Sequence, residues 1–421
     1  MRLSLSNVGK IKSADIDIHG IAVIAGENAS GKSTVGKALF CVLNSLNRMN
    51  EQIEGNLKQR VHSVLYQQLI EEDEDLIDPI YSNLAHLSSS CVKNKQSFAN
   101  DKQELSTFIN SKIDELGLSK KIPYEKKESI ADRIYDILMI TKEEALSAVM
   151  RSRFQLEFKM KLNHIRRPSE ASSITLSVRE KEIVVSITDN EKVSLSGNAS
   201  FDDEAIYIDN PFVLNRINIP RNRSHTHEGH LCSCLSIETS PESVETAIDG
   251  ILISKRLKRV FSKLNTVCSG EMSLFKGRIA VYEDEEGYSF DMVNVSTGLK
   301  TFIIIKTLLS NGSLKENGVL ILDEPEIHLH PEWQLDFAEL IVLLHKEYNI
   351  HILLTTHSHY FLDAIDVYSK KHEIIEKCKY YIAENEGKDA VINDATGNLE
   401  SIFSKFAKPL RYLEDTRYNN D

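Results

Sequence analysis

The nonapeptide GENASGKST at positions 26–34 has the residue types and spacing of a phosphate-binding loop, GxxxxGK[ST]. Glycines let a backbone wrap around phosphate oxygens, a lysine neutralises their charge, and a serine hydroxyl coordinates Mg²⁺. An apolar run, IAVIA, precedes the loop and a helical pattern follows it, as the motif requires. We therefore predict a nucleotide site with Ser33 as a metal ligand. The predicted nucleotide contacts are Gly26, Glu27, Asn28, Ala29, Ser30, Gly31, Lys32, Ser33 and Thr34.

A second candidate is the segment GVLILDEPEIHLHP, residues 318–331, where an apolar strand ends in two adjacent carboxylates. On an extended backbone, neighbouring side chains point to opposite sides. Asp323 is therefore predicted to hold Mg²⁺, and Glu324 to act as a general base or to position the attacking water. The alternative interpretation is a strand end at which two acids are simply solvated.

His357 follows another apolar run, in ILLTTHSHYFL at residues 352–362. Open α/β sheets bind their ligands at the carboxyl ends of the strands. An imidazole at such an end can donate a hydrogen bond to a γ-phosphate without carrying a fixed charge, so His357 is a predicted catalytic residue. A turn histidine with partners in its own chain is the alternative.

Ser296 directly precedes an apolar helix in NVSTGLKTF, residues 294–302. A serine at that position caps the helix and stabilises it by about 1 kcal/mol. The same hydroxyl and the helix-terminal N–H groups can also contact a phosphate. The residues alone leave both interpretations open.

The elements that position these residues follow from periodicity. Residues 3–25 predict an antiparallel pair followed by a buried strand, and residues 45–150 are mostly polar and helical. Alternation over residues 154–162 predicts a further strand, and residues 174–188 predict a hairpin. Strands and helices alternate towards the carboxyl end, which favours an α/β fold with a mainly parallel, helix-covered sheet and an antiparallel part. The expected organisation is an N-terminal core segment at 1–45, a helical and β insertion at 46–250, and a C-terminal core segment at 251–421.

Composition limits the class of protein. A chain of 421 residues exceeds the usual size of a single core, and 41% hydrophobic with 27% charged residues is ordinary for a globular protein. A net charge of -12 disfavours nonspecific DNA binding. No apolar run has the length of a membrane span, and the N-terminal residues MRLSLSNVGKIKS lack the apolar core of a signal peptide. The six cysteines form no CxxC pair, so a reducing, cytoplasmic location is expected.

Two weaker patterns each allow two interpretations. HTHEGHLCSC, residues 225–234, carries side chains that bind metals, but no second ligand pair lies nearby, so a helix-entry loop with buried cysteines is favoured. The basic residues between 151 and 167 suit either nucleic acid or, as we prefer, a solvated strand face.

Together, GENASGKST, LILDEPEIHLHP and LLTTHS resemble in order and type the motifs of ABC-type ATPase heads of the SMC, RecF and OLD group, often called bacterial AAA-family ATPases. The resemblance covers roughly residues 1–45 and 270–385, and it implies ATP and Mg²⁺ as ligands. In such heads VSTGL aligns with the signature LSGGQ, which implies that Ser296 and Gly298 contact the γ-phosphate bound to a second copy. Lys300 is expected to add charge there. The loop at 326–331 corresponds to one that crosses between two heads.

One residue of the family pattern has no clear equivalent. The glutamine that couples nucleotide to the insertion is not distinguished among Gln52, Gln59, Gln67 and Gln68.

The resemblance implies three candidate functions. The first is a regulatory ATPase that forms an ATP-sandwiched dimer, or a larger even-numbered oligomer, and controls a separately encoded effector such as an HNH nuclease, as in anti-phage systems such as Septu, PARIS or retron-linked cassettes. The second is a RecF-like ATPase that acts directly on DNA. A transporter subunit is disfavoured because the interval from Ser33 to Ser296 is too long, and nuclease activity in this chain is not expected because no Glu plus DxD set follows His357. We favour the first.

Overall fold

The computed structural model describes residues 1–70, 77–116, 122–159, 161–190, 192–197, 204–217, 225–237, 255–275 and 279–418. The chain divides into two compact units. One combines Met1–Asn47 with Met150–Asp421, and the other is Arg48–Val149. We call the first the core unit and the second the helical unit.

The core unit is built around a large sheet and a small one. Its strands are β1 (Arg2–Val8), β2 (Ile11–Asp17), β3 (Ile21–Gly26), β4 (Ser172–Val178), β5 (Lys181–Thr188), β6 (Lys192–Ser196), β7 (Ala205–Ile208), β8 (Glu271–Phe275), β9 (Ile279–Glu283), β10 (Ser289–Asp291), β11 (Val319–Asp323), β12 (His351–Thr356), β13 (Cys378–Glu386) and β14 (Asp389–Asp394). Within the described residues the large sheet has the order β6-β5-β4-β1-β2-β14-β13-β3-β12-β11-β7, and β8, β9 and β10 form the small antiparallel sheet.

The large sheet has a parallel half and an antiparallel half. Strands β13, β3, β12, β11 and β7 run parallel, whereas β2, β1, β4, β5 and β6 form an antiparallel meander. Strand β3 is buried along its whole length, as a strand covered on both faces must be. This arrangement confirms the predicted α/β class with a mostly parallel, helix-covered sheet and an antiparallel part.

The register of the parallel strands places their carboxyl ends at one edge. Asp323 at the end of β11 is paired with Thr355 on β12, and Thr356 is paired with Ala25 on β3. On the other side of β11, Leu322 is paired with Ile208 at the end of β7. Residues far apart in the sequence therefore meet at this edge.

The helices cover the sheets and form the second unit. They are α1 (Lys32–Leu46), α2 (Met49–Ile70), α3 (Ile77–Lys93), α4 (Lys95–Asn100), α5 (Lys102–Glu115), α6 (Tyr124–Met139), α7 (Lys142–Phe158), α8 (His227–Leu235), α9 (Lys258–Val267), α10 (Thr297–Ser310), α11 (Pro331–Tyr348), α12 (His359–Lys371), α13 (Leu399–Phe406) and α14 (Lys408–Tyr418). None of the described helices is long and apolar enough to cross a membrane.

The helical unit has its own apolar core. Buried side chains of α2, α5 and α6 include Val61, Leu65, Ile109 and Ile134, which recur at helical spacing. The unit is much shorter than the predicted insertion at 46–250. The difference arises because β4, β5, β6 and β7 pair into the large sheet and so belong to the core unit.

The predicted strand at 154–162 is wrong, because α7 continues to Phe158. Met150, Arg153, Phe154 and Glu157 are all buried, and this spacing of three and four residues marks one face of a helix. The residues alternate between apolar and polar over this short stretch, and the same residues also fit one buried face of a helix. The alternation alone therefore predicted a strand. The predicted basic strand face is wrong for the same reason.

The predictions for the short strands and the cysteines agree with the structure. Strands β4 and β5 form the expected antiparallel hairpin, and β1 and β2 form the expected pair ahead of β3. The six cysteines are free and buried, as expected for a chain without a disulfide framework.

Candidate functional site

The loop between β3 and α1 has the backbone of a phosphate cradle. Ala29 has φ 59° and Gly31 has φ 89°, so the chain turns sharply before α1 begins at Lys32. A side chain at Gly31 would also collide with Ile11, since an added Cβ would lie 2.8 Å from its Cγ1. Gly31 offers no side-chain cap to the first N–H groups of α1. Those groups and the positive end of the helix dipole suit an anion.

Lys32 is a buried cation at the centre of this loop. Its side chain is 4% exposed, and Nζ lies 3.0 Å from the Gly26 carbonyl oxygen and 2.9 Å from that of Glu27. It also lies 3.1 Å from Glu324 Oε1, which joins the loop to the acidic strand end. The ammonium group is therefore held at the edge where β3 and β11 terminate. There it can neutralise phosphate charge.

Asp323 is oriented by hydroxyl groups from both neighbouring strands. The Tyr207 hydroxyl on β7 donates to Oδ2 at 2.9 Å, and the Thr355 hydroxyl on β12 donates to Oδ1. Each carboxylate oxygen retains a lone pair for a cation or its water. Ser33 is exposed in the first turn of α1, which packs against β7 and β11. Carboxylate and hydroxyl oxygens are hard ligands, so these residues fit Mg²⁺ bound together with a phosphate.

Glu324 leaves the strand in a left-handed conformation, with φ 49° and ψ 49°. Such a conformation costs a non-glycine residue about 1–3 kcal/mol, and strained backbone of this kind concentrates at functional sites. The turn brings its carboxylate to Lys32, while Oε2 lies 3.5 Å from Nδ1 of His357. Asp323 and Glu324 do face different partners, as predicted. The left-handed turn at Glu324 separates the two carboxylates, whereas the prediction relied on alternation along an extended strand.

His357 lies at the end of β12 and is half-exposed, with a side-chain exposure of 40%. Its backbone N–H donates to Glu326 Oε1 at 3.1 Å, and the Thr356 hydroxyl donates to the same oxygen. The imidazole stands next to Glu324 at the edge that carries Lys32. The structure therefore brings together Lys32, Asp323, Glu324 and His357, which the sequence placed in three separate motifs.

Glu326 is a residue that sequence reasoning treated only as the start of a loop between heads. Its side chain is 2% exposed, and burial raises the pKa of its carboxyl group. Glu326 Oε1 accepts hydrogen bonds from residues at the end of β12. Gln334 Nε2 lies 3.4 Å from the Glu326 carbonyl oxygen and 3.2 Å from the Leu329 carbonyl oxygen. The loop is thus anchored in its own chain at Glu326. Ile327, by contrast, is 53% exposed.

The start of α10 packs against the loop that follows Glu324, because Gly298 approaches the His328 carbonyl. Ser296 is exposed, and its hydroxyl accepts the Leu299 N–H at 3.4 Å, so the predicted helix cap is present. Gly298 is buried, and an added Cβ would lie 3.0 Å from the His328 carbonyl oxygen and 3.1 Å from the Trp333 ring. Gly298 therefore permits close packing within its own chain. Contact with a second chain's phosphate stays a prediction.

The expectation that Lys300 adds charge for a phosphate is not supported. Its side chain is buried at 1% exposure, and Nζ lies 5.4 Å from the centre of the Phe212 ring. Burial lowers the pKa of the Lys300 ammonium group, since the charged form loses hydration. The lysine is engaged in a cation–π contact inside its own chain.

The histidine-rich segment at 225–234 forms the start of α8. Among the described residues no group of histidines, cysteines and acids has the geometry of a metal site, and Cys232 and Cys234 are buried. His227 instead bridges two carboxylates. Nδ1 lies 2.7 Å from Glu157 Oε2, and Nε2 lies 3.0 Å from Asp209 Oδ2. The favoured interpretation of a helix entry with buried cysteines therefore stands.

Two features of the site escaped the sequence reasoning. The first is Tyr207, which no sequence motif identified, although a buried tyrosine requires a partner for its hydroxyl and so signals a polar contact. The candidate glutamines lie on α2, in the helical unit. The coupling glutamine is therefore the second feature without an assignment. On the side of β11 away from β12 lies β7, and the residues that follow β7 are Asp209 and Asn210, not a glutamine.

Comparison with known proteins identifies a family whose model matches most of the chain. A family model described as "AAA domain, putative AbiEii toxin, Type IV TA system" matches residues 21–363, which begin at β3 and extend into α12. A protein of Escherichia coli named "Retron Ec83 probable ATPase" is 29% identical over 126 residues. That match covers 27% of this chain and 23% of the relative, so it spans about a quarter of the relative's length.

Two solved structures align with most of the chain at low identity. A structure of the SMC head bound to the C-winged helix domain of ScpA has TM-score 0.46 and 10% identity, with coverage of 93% of this chain and 96% of that one. An SMC head domain from Thermotoga maritima has TM-score 0.40 and 9% identity, with coverage of 93% and 97%. The fold class follows from the strand order of the large sheet and not from these alignments. The family model covers well over half of the chain and includes the phosphate loop, Asp323, Glu324 and His357, so the chain belongs to this AAA-domain family of ATPases.

Proposed function

We propose that the chain is an Mg²⁺-dependent ATPase switch that forms ATP-sandwiched dimers and controls a separately encoded effector in anti-phage defence. The observation that carries the ATPase part is the convergence at one sheet edge. Lys32 Nζ lies 3.1 Å from Glu324 Oε1, and Glu324 Oε2 lies 3.5 Å from His357 Nδ1. Three motifs that are far apart in the sequence thus meet at one sheet edge, which supports a γ-phosphate site there.

Each residue has a role that its position supports. Lys32 and the N–H groups at the start of α1 hold the phosphates, and Ser33 and Asp323 hold Mg²⁺. Bound Mg²⁺ would neutralise charge that develops on the phosphate oxygens. Glu324 orients the attacking water and accepts its proton, because its carboxylate projects beside Lys32 without occupying the position of Asp323. His357 donates a hydrogen bond to the γ-phosphate from the neighbouring strand end.

Exposure supports the dimer. Ser296 is exposed at the start of α10, and Val293 and Ile327 are exposed at 62% and 53%. In a paired arrangement Ser296 and Gly298 of one copy present helix-terminal N–H groups to ATP held by the other. A second copy would cover this apolar surface while it completes each phosphate site.

Effector control is supported by the relatives rather than by a site in this chain. The family description names a type IV toxin–antitoxin system, and the Escherichia coli relative is named for a retron. These names support an ATPase that acts on a separately encoded partner such as an HNH nuclease. Direct action on DNA is the weaker proposal, because the net charge is -12 and Arg153 of the basic run is buried.

The test measures molecular mass and ATP hydrolysis together. We expect the wild-type chain to double in mass with ATP and Mg²⁺, to remain smaller with ADP, and to hydrolyse ATP at a specific rate that rises with protein concentration. A specific rate independent of concentration would contradict the sandwiched dimer. The product of the neighbouring gene, added to the same assay, should bind in a nucleotide-dependent way. Stimulation by duplex DNA at physiological salt, without any protein partner, would favour the DNA alternative.

A further inference from the structure

Tyr207 is a fully buried tyrosine whose hydroxyl reaches a carboxylate at the proposed metal site. Its side chain is 0% exposed, and Oη donates to Asp323 Oδ2 at 2.9 Å. The Thr355 hydroxyl donates to the other oxygen, Oδ1. The carboxylate is therefore fixed from β7 on one side and β12 on the other. Its rotation is restricted before a cation arrives.

The Tyr207 ring is itself held between two helices. On α1, an added Cβ at Gly36 would approach Tyr207 Cζ at 3.3 Å, so the missing side chain makes room for the ring. On the α8 side, the ring centres of Tyr207 and His227 lie 4.7 Å apart with an interplanar angle of 31°. The phenol therefore links the helix that carries the phosphate loop, the acidic strand and α8.

His227 has little freedom to move. Both ring nitrogens contact carboxylates, Glu157 on α7 and Asp209 directly after β7, and its backbone N–H also contacts Glu157. Burial acts to lower the pKa of His227, but the hydrogen bonds that its ring donates to Asp209 and Glu157 outweigh burial and raise that pKa to about 9. The imidazolium balances two acids and forms a rigid wall behind the Tyr207 ring.

We propose that Tyr207 is a positioning residue for Asp323, and that His227 acts through Tyr207. The hydroxyl selects the orientation in which Asp323 receives the divalent cation that accompanies the nucleotide. This inference rests on the proposed function, since it deepens the role of the same site. No other described residue donates to Asp323 Oδ2, so loss of this hydroxyl releases one side of the carboxylate.

The test compares a metal complex with the metal-free nucleotide. Adenylyl imidodiphosphate, which is not hydrolysed, is titrated into the protein by calorimetry, once with Mn²⁺ and once with a chelator. The nucleotide affinity with Mn²⁺ divided by the affinity with the chelator reports the contribution of the metal. We expect Tyr207→Phe to lower this ratio about tenfold, because a hydrogen bond to a charged group is lost. Its metal-free affinity should stay near the wild-type value. His227→Gln should lower the ratio in the same direction by a smaller factor.

Tyr381→Phe is the matched control. Tyr381 is a buried tyrosine on β13 whose hydroxyl accepts the Asp17 N–H at 2.7 Å, away from Asp323. It should lose similar thermal stability and keep the wild-type ratio. An unchanged ratio in Tyr207→Phe, or an equal fall in Tyr381→Phe, would overturn the positioning role. If the wild-type chain itself binds the nucleotide no better with Mn²⁺, the proposed metal dependence fails and the inference fails with it.

Discussion

The carboxyl edge of the parallel strands and the start of α10 present polar groups in opposite ways. At the strand edge, the Glu324 carboxylate lies 3.1 Å from Lys32 Nζ and 3.5 Å from His357 Nδ1, and Asp323 is held by two hydroxyls. At the start of α10, Ser296 is exposed and its cap bond is long, at 3.4 Å.

The comparison distinguishes polar groups that are already paired within one chain from groups that a second chain could contact. The charged groups at the strand edge constrain each other, so their chemistry is set by folding. Ser296 has a local role as a cap, and any further role depends on a group outside its own chain. Variants of Glu324, Lys32 and Ser296 distinguish a self-contained half-site from a half-site that is completed in trans.

The largest effect is expected for Glu324→Gln. Glutamine keeps the size of the side chain and cannot accept the proton, so kcat should fall by about 10²- to 10⁴-fold while ATP affinity is retained. Phosphate release and calorimetric binding measure the two quantities. Glu376→Gln, at an exposed position ahead of β13, serves as the control and should hydrolyse ATP normally. Wild-type kcat in Glu324→Gln would remove Glu324 from its role in activating water.

Lys32→Ala should weaken ATP binding by about 100-fold, because a buried cation that faces phosphates is lost. Calorimetry with the Mg²⁺ complex measures the change, and thermal melting establishes that the variant is folded. Lys346→Ala removes a lysine at the end of α11, far along the chain from the loop, and should bind ATP as the wild type does. Unchanged affinity in Lys32→Ala would place the nucleotide elsewhere.

Ser296→Ala should reduce the ATPase rate by about tenfold through the loss of a phosphate contact, beyond the stability change of about 1 kcal/mol expected from the lost cap. Asp101→Ala removes a comparable cap on α5 and should leave the rate unchanged. Mixing Ser296→Ala with Lys32→Ala chains should restore activity above either alone, since a mixed dimer contains one intact composite site. Absence of that rise argues against contact in trans.

The smallest effect concerns pH. The folded-state pKa of His227 is about 9 and the ordinary value is 6.5, so its charged form stabilises the fold. That contribution is complete below pH 6.5 and is lost as pH rises through 9. We expect it to amount to about 1–3 kcal/mol, measured as the free energy of unfolding by denaturant. His227→Gln should be less stable at pH 6 and should show a flatter pH profile; an unchanged slope would refute the charged bridge.

Much of the site could be predicted because its motifs are local. The phosphate loop, the DE pair and His357 each follow an apolar run, and a buried strand followed by a polar tip is readable without the rest of the chain. The hairpin at 174–188 was also predicted, since alternation there matches a sheet with one buried face. The error at 154–162 occurred where apolar alternation and helical spacing coincide over a short stretch, and local pattern does not separate them.

The sequence by itself determined the chemical groups: a lysine and serine at a glycine loop, two carboxylates, a histidine and a capping serine. Tertiary structure alone decided their geometry. It set the register that places Asp323 beside Thr355, the left-handed turn that sends Glu324 to Lys32, and the burial of Lys300. It also brought Tyr207 to Asp323 across 116 positions of sequence. These outcomes depend on strand order and packing between distant segments, which no local pattern of residues encodes.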